Sequence, residues 1–113
     1  MKAALTAKLK QGRPVTLTAE EADYLVEALR AAMAVVLEVP PEKIEDDTRV
    51  FDDLGLDSID VFDLLDQLAE QFEVQVILEE LPESFLRGGE DTTFCNFAQG
   101  LVRYFREPPG ETA

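Results

Sequence analysis

Histidine is absent from the 113-residue chain, and cysteine occurs once, at position 95. Without histidine the chain cannot form a Ser-His-Asp triad, a Cys-His dyad or a histidine-based metal site. A single thiol excludes an intramolecular disulfide and any paired-cysteine redox or zinc motif. Cys95 falls within an apolar helical pattern, so we expect it to be buried and inert. The composition therefore argues against an enzyme.

Long hydrophobic runs are also absent. No apolar segment approaches the roughly 18–20 residues that cross a bilayer. Only short apolar stretches separate the N-terminal lysines, which argues against a secretory signal. We therefore expect a cytoplasmic protein.

Positive charge is scarce, because ten basic residues face 24 acidic ones and the formal net charge is −14. Four of the bases (Lys2, Lys8, Lys10 and Arg13) lie in residues 1–18, which hold no acid. The rest of the chain is therefore still more acidic. Such a surface repels nucleic acids and anionic membranes, and it attracts partners that carry basic patches. We expect no nucleic-acid partner.

A calcium site is not expected either, although the region after Glu45 is rich in aspartate. A calcium-binding loop needs oxygen ligands at alternating positions. Counted from Asp46, the third and fifth positions are Thr48 and Val50. The sequence therefore predicts no metal site.

Apolar residues at helical spacing predict an all-α protein with three long helices and one short one. The long helices are predicted over 19–38, over 58–72, and from Thr92 or Thr93 to the prolines at 108–109; the short one is predicted over 78–86. Thr18 and Glu21 form a capping box at the first start, and Asp57 caps the second helix. The expected fold is a small four-helix bundle.

The remaining segments complete this organisation. Residues 1–17 are predicted to be a basic extension in which Gly12 and Pro14 interrupt any helix, 18–107 the helical domain, and 108–113 a flexible tail. A long loop over about 40–57 joins the first two helices. The loop residues expected to contact the core are Ile44, Val50, Phe51, Leu54 and Leu56. The buried stripe expected on the second helix is Ile59, Phe62, Leu65, Leu68, Ala69 and Phe72, broadened by Val61 and Leu64.

The segment FDDLGLDSIDVFDLL, residues 51–65, places Ser58 where the loop meets the second helix. Asp57-Ser58 taken alone indicates only a helix start. The ordered set Phe51, Asp53, Leu54, Gly55, Leu56, Asp57, Ser58 and Ile59 is more specific. It resembles the acyl carrier protein family, in which the serine of an (E/D)-D-L-G-x-D-S-(L/I) motif carries phosphopantetheine. The resemblance extends from about Thr18 to Phe105.

The resemblance implies a carrier, not an enzyme. A phosphopantetheinyl transferase would move 4′-phosphopantetheine from coenzyme A to Ser58 in a magnesium-dependent step. Acyl groups would then be held as thioesters on the thiol of the arm, for fatty-acid, lipid or polyketide-type biosynthesis. A phosphodiester on Ser58 would lie at a helix N-terminus, where backbone N–H groups favour an anion. Gly55 would allow the tight turn that keeps Ser58 accessible.

The resemblance also implies partners, namely the transferase and acyl-handling enzymes with basic docking patches. A solvated acidic face would by itself explain the aspartates every third residue beside Ser58, but the family favours recognition. The residues assigned to this surface are Asp57, Asp60, Asp63, Asp66, Ile59 and Phe62. Family members also shelter acyl chains in the interior, and the small or flexible residues 31–34 permit this. A monomer is expected.

Two alternatives remain open. One is an aminoacyl or peptidyl carrier, whose attachment site more often has Gly-Gly-x-Ser in a less acidic chain. The segment Leu54-Gly55-Leu56-Asp57-Ser58 and the net charge of −14 favour acyl cargo instead. The other alternative is an acidic helical adaptor without a prosthetic group, which could lose Ser58 without consequence.

Three features depart from the common family pattern. Asp66 stands where fatty-acid carriers usually have an apolar residue that contacts partner enzymes. The segment 84–91 is longer than the usual link between the last two helices, and the basic residues 1–17 are additional. These departures indicate a specialised, stand-alone member with a different set of partners.

If the charge of Asp66 restricts the set of partners, replacing Asp66 with methionine should increase processing by fatty-acid synthesis enzymes. The gain is expected because an apolar side chain matches the contact that those enzymes make with common carriers. The rate of acyl loading and elongation on the variant and the wild type measures this. Unchanged processing would remove the main support for a specialised carrier.

Overall fold

The computed structural model describes residues 1–76, 81 and 92–107, which contain four α-helices. They are α1 (Lys2–Lys10), α2 (Ala19–Leu37), α3 (Ser58–Phe72) and α4 (Phe94–Arg106), with a 3-10 turn over Pro41–Lys43. These residues form no β-strand, only an isolated bridge between Arg49 and Thr93. The all-α prediction is confirmed. The predicted short helix over 78–86 and the tail over 108–113 lie outside the described residues.

Capping side chains fix where α2 begins, as the sequence predicts. The Thr18 hydroxyl accepts a hydrogen bond from the Glu21 N–H at 3.1 Å, and the Glu21 carboxylate accepts one from the Thr18 N–H at 2.9 Å. This reciprocal pair satisfies two N–H groups at the helix start. At the other end, Glu38 takes a left-handed conformation with φ 56° and ends the helix.

The core lies between α2, α3 and α4, and α2 packs more extensively on α3 than on any other helix. The largest side chains that are almost fully buried come from all four helices and from the loop between α2 and α3: Leu5, Leu9, Leu25, Leu29, Met33, Ile44, Leu64, Phe72, Phe94, Phe97 and Leu101. Burial of this apolar surface is the main favourable contribution to folding. In the described part of the chain, no helix is long and apolar enough to cross a membrane.

Two side chains predicted for the core of α3 are on its surface. Ile59 is 69% exposed and Phe62 is 53% exposed, whereas Val61 and Leu64 are buried. The apolar residues of α3 occupy so wide an arc that spacing alone does not identify its centre. The neighbouring helices cover the side of Val61, Leu64 and Leu68, which leaves Ile59 and Phe62 in solvent.

The prediction that Cys95 is buried is also wrong, because its side chain is exposed. Its neighbour Phe94 is fully buried and begins the inward face of α4. One residue further along an α-helix turns the side chain by about 100°. Cys95 therefore points away from the core.

Residues 2–10 form a helix that the sequence analysis did not predict. Leu5 and Leu9 of α1 are 0% and 2% exposed and belong to the same apolar cluster as the other helices. Gly12, with φ +96°, allows the chain to turn after α1. Beyond that turn, the Val15 N–H donates a 2.7 Å hydrogen bond to the Phe105 carbonyl of α4. A domain boundary between residues 17 and 18 remains a prediction.

Ion pairs join α1 to the start of α2 and to the residue that follows α3. The Lys8 ammonium donates a hydrogen bond to the Glu21 carboxylate at 2.7 Å, and Lys10 lies 3.9 Å from a carboxylate oxygen of Glu73. Hydrogen bonding from Lys8 is the main cause that lowers the pKa of Glu21, and the Thr18 N–H acts in the same direction. Lys8 and Lys10 thus lie against acids of the same chain.

Replacing Leu9 with alanine tests whether α1 is part of the core. The truncation loses buried apolar area and leaves a cavity, so we expect the free energy of unfolding to fall by about 2–5 kcal/mol. Urea denaturation followed by circular dichroism measures this change. The control is Ala4→Ser on the exposed side of α1, expected to stay within about 0.5 kcal/mol of wild type. A Leu9→Ala variant as stable as this control would show that α1 is dispensable.

Candidate functional site

Ser58 is the first residue of α3, and Asp57 caps the helix as predicted. The Asp57 carboxylate accepts a hydrogen bond from the Asp60 N–H at 2.9 Å, and the Asp60 carboxylate accepts one from the Asp57 N–H at 3.2 Å. Asp60 thus completes a capping box with Asp57, which was not predicted from the sequence. The Ser58 side chain is exposed. A solvent-accessible hydroxyl therefore stands on a fixed backbone.

Gly55 produces the turn that leads into α3. Its φ is +72°, a conformation that side-chain-bearing residues rarely adopt, although an added Cβ would meet no atom within 4 Å. Glycine is therefore favoured by the backbone conformation, not by lack of space. After the turn, the Leu56 N–H donates a 3.0 Å hydrogen bond to the Val50 carbonyl, and the Leu56 side chain is buried.

Apolar side chains hold the loop between α2 and α3 on the core, as predicted. Ile44, Val50 and Leu56 are buried, and Leu54 packs partly buried against the same cluster. The Phe51 ring meets the Phe97 ring edge-on, with centroids 6.0 Å apart. An ordered loop holds Ser58 in one position relative to the helices.

Hydrogen bonds join the loop to α4. The N–H groups of Phe94 and Cys95 donate to the carbonyls of Thr48 and Asp46 at 2.7 and 2.9 Å. Thr93 caps α4 by accepting from the third N–H, that of Asn96, at 3.2 Å. The loop thus supplies the acceptors that the first turn of α4 requires.

Arginine side chains hold the loop from two directions. Arg30 of α2 donates to the Ile44 carbonyl and, at 2.8 Å, to the Asp46 carboxylate. Within the loop, Arg49 lies 3.2 Å from a carboxylate oxygen of Asp53. The Arg49 backbone N–H lowers the pKa of Asp53, and the Arg49 guanidinium lowers it further. The Arg49–Asp53 pair is about half exposed and adds little stability, so it chiefly shapes the loop. The Arg30 side chain is only 17% exposed, and its bond to the Ile44 carbonyl ties the loop to α2.

The loop supplies no acceptor to the first two N–H groups of α3, in contrast to those of α4. Within the described residues, the N–H groups of Ser58 and Ile59 have no acceptor. Of the first three N–H groups of α3, only that of Asp60 has an acceptor in the described part of the chain, namely the Asp57 carboxylate. Two backbone donors and the positive end of the helix dipole therefore face solvent next to the Ser58 hydroxyl.

The predicted docking residues form an exposed surface around Ser58. Asp57, Asp63 and Asp66 are exposed, as are Ile59 and Phe62. Asp60 is half-buried and occupied in the capping box. These two apolar side chains and three acids are thus exposed on the first three turns of α3 or directly before it.

Not all the residues of α2 that were suggested as interior linings are buried. Of the small and flexible residues 31–34 suggested as interior linings, Ala31 is exposed and the other three are buried. The sequence analysis did not single out Val35, which is 63% exposed near the end of α2. Val35 lies four residues after Ala31 and therefore on the same face of α2, and this spacing was the signal that the sequence offered. The described residues contain no cluster of three or more groups able to hold a metal ion.

Comparison with known proteins agrees with this geometry. A family profile described as "Phosphopantetheine attachment site" matches residues 27–84, about half of the chain. An acyl carrier protein of Campylobacter curvus (strain 525.92) is 38% identical over 48 residues, 42% of this chain and 62% of that protein. An acyl carrier protein of Sulfurovum sp. (strain NBC37-1) is 31% identical over 52 residues, 46% of this chain and 69% of that protein. The chain thus spans about two thirds of the length of these relatives.

No solved structure matches the chain. The family profile covers α3, the preceding loop and the exposed serine between them. The chain belongs to the acyl carrier protein family, whose cofactor is covalently attached 4′-phosphopantetheine.

Proposed function

We propose that Ser58 carries the 4′-phosphopantetheine arm and that the chain is a carrier of acyl groups. The observation that supports this most directly is an exposed serine hydroxyl at the capped start of α3, next to two backbone N–H groups that have no acceptor among the described residues. The residue lies inside the region matched by the family profile. A transferase can approach this hydroxyl without moving a helix.

The surroundings of Ser58 fit a phosphodiester. The N–H groups of Ser58 and Ile59 can donate to phosphate oxygens, and the helix dipole favours negative charge by about 0.3–1 kcal/mol. The carboxylates of Asp57 and Asp60 repel an anion, but each already accepts a backbone hydrogen bond in the capping box. The donors at the helix start therefore offset the local acidity.

The thiol of the bound arm supplies thioester chemistry. The chain itself contributes position. Because α3 is capped and the loop before it is held by Arg30 and α4, the attachment point is fixed while the arm is free to move. A tether of this kind raises the effective concentration of cargo at each enzyme the carrier meets. The chain is therefore proposed to act as a substrate-bearing partner of enzymes and not as a catalyst.

The proposed partners are a phosphopantetheinyl transferase and acyl-transferring or condensing enzymes with basic docking patches. The motif around Ser58 and the net charge of −14 favour acyl cargo over aminoacyl or peptidyl cargo. The proposed setting is fatty-acid, lipid or polyketide-type biosynthesis. A cytoplasmic location and a monomeric state remain predictions.

Intact mass tests the attachment site. After incubation with coenzyme A, magnesium and a broad-specificity transferase, we expect the wild type to gain the mass of one phosphopantetheine and Ser58→Ala to gain none. The chain has one other serine, Ser84, so Ser84→Ala is the matched control and should be modified like wild type. No gain by the wild type, with an active control carrier in the same tube, would favour the adaptor without a prosthetic group.

The acids of α3 are proposed to attract the partner. Asp63 and Asp66 are exposed and follow Ser58 along the helix. Opposite charges on two proteins accelerate their encounter over about one Debye length, which is ~10 Å at 0.1 M salt. Acids on this helix therefore guide a basic partner toward Ser58.

Neutralising these acids should slow modification. For the double variant Asp63→Asn with Asp66→Asn, we expect kcat/KM of the transferase to fall roughly three- to ten-fold at low salt. The difference should shrink at about 1 M salt, where the Debye length is ~3 Å. Glu20→Gln with Asp23→Asn removes the same charge from exposed positions of α2 and should have a smaller effect. Equal effects of both variants would mean that total charge, not this surface, matters.

A further inference from the structure

Large apolar side chains are exposed at four described positions, and three of them belong to α2 and α3: Val35, Ile59 and Phe62. The fourth is Met1 at the chain terminus. Side chains of this size in solvent cost free energy, and their grouping on a surface is typical of interaction sites. Ile59 and Phe62 flank Ser58 in the sequence, but Val35 lies on another helix, so its position relative to them must be established.

The helices α2 and α3 run in opposite directions. The Tyr24 ring, near the start of α2, contacts the Phe72 ring at the end of α3, with centroids 6.4 Å apart. A parallel arrangement with this contact would leave most of α2 beyond the end of α3, which is incompatible with their extensive packing. Val35 lies about 16 Å along α2 from Tyr24, and Phe62 about 15 Å along α3 from Phe72. Val35 and Phe62 are therefore at the same level of the pair.

Both side chains also continue rows of residues at helical spacing that begin at the Tyr24–Phe72 contact, and we take these rows as the seam between the two helices. The row on α2 is Tyr24, Ala28, Ala31 and Val35, and the row on α3 is Phe72, Ala69, Leu65 and Phe62. Ala28 and Leu65, in the middle of these rows, are 8% and 6% exposed. Beyond them, Ala31, Val35 and Phe62 are exposed. The seam is closed at the Phe72 end and open at the Ser58 end.

The occupant of this open seam is not a second copy of the chain. Each copy carries a net charge of −14, and acids surround the seam at Asp57, Asp63 and Asp66. Two such surfaces would repel one another when brought together. A protein with an apolar centre and a basic rim complements both the apolar seam and its acidic border.

We propose that Ala31 and Val35 of α2 form one apolar docking surface with Ile59 and Phe62 of α3. Its occupant is the enzyme that acts at Ser58, with an apolar pocket for Val35 and Phe62 and basic residues for the surrounding aspartates. This proposal rests on the proposed function of Ser58. It adds that the enzyme contacts two helices and therefore recognises their relative position, not the sequence of α3 alone.

Binding is tested by NMR with the full-length Ser58→Ala chain, labelled with ¹⁵N and titrated with the transferase used above. This variant cannot be modified at residue 58, so the spectra report docking alone. We expect the amide signals of Ala31 and Val35 to shift or broaden together with those of Ile59 and Phe62. Changes confined to α3 and the preceding loop would overturn the proposal.

The kinetic test compares Val35→Ser with Val35→Ile on the Ser58-containing chain. Loss of an apolar contact at the centre of an interface should lower kcat/KM of the transferase roughly three- to thirty-fold for Val35→Ser, whereas Val35→Ile should retain the wild-type value. In combination with Phe62→Ser, the loss should be smaller than the product of the two single losses, because both side chains enter one pocket. Cys95→Ser, an exposed position on α4, is the control for a polar surface substitution.

The outcomes separate the two proposals. No modification of the wild type contradicts the function proposed for Ser58. Modification of the wild type with equal kcat/KM for Val35→Ser and Cys95→Ser leaves that function intact and overturns the two-helix surface. Equal urea midpoints for all variants confirm that the comparison concerns docking and not folding.

Discussion

The backbone N–H groups at the start of each helix need acceptors, and the capping side chains and loop carbonyls that supply them organise the fold. Thr18 and Glu21 satisfy the start of α2, and Glu21 also receives the ammonium of Lys8 from α1. Loop carbonyls satisfy the start of α4. The start of α3 has the same kind of capping box, formed by Asp57 and Asp60, and among the described residues the N–H groups of Ser58 and Ile59 have no acceptor. The same constraint thus fixes where the helices begin and, at α3, leaves backbone donors next to the proposed attachment site.

The acidity of the chain opposes compact folding. A net charge of −14 on a domain of this size favours expansion, because like charges repel. The apolar core opposes that tendency, and α1 adds Leu5 and Leu9 to the core. Lys8 and Lys10 of α1 lie against Glu21 and Glu73. Lys8 and Lys10 thus pair with acids outside the proposed docking surface.

On the proposed docking surface, apolar and acidic groups have separate tasks. Exposed acids act at a distance and mainly affect how fast a partner arrives. The side chains of Val35, Ile59 and Phe62 act only on contact, where their burial decides how long the partner stays. A carrier that meets several enzymes in turn benefits from fast arrival combined with a small apolar contact, since each complex must also dissociate.

The sequence by itself determined the three long helices, their caps, the anchoring of the loop and the position of Ser58. These features depend on local signals: apolar spacing near 3.6 residues, capping residues at helix starts, and a motif in which Gly55 and Asp57 have conformational roles of their own. All of them lie within a few residues of the feature they specify.

Only the tertiary structure decided the rest. A nine-residue helix such as α1 is not stable on propensity alone, so its formation depends on the site that buries Leu5 and Leu9. Which part of the broad apolar arc of α3 faces inward depends on where α1 and α2 lie, and this placement leaves Ile59 and Phe62 exposed. The exposure of Cys95 on α4 and of Val35 at the open end of the seam likewise depends on where the neighbouring helices lie. Periodicity gives the spacing of apolar residues, whereas the neighbouring helices decide which of them are covered.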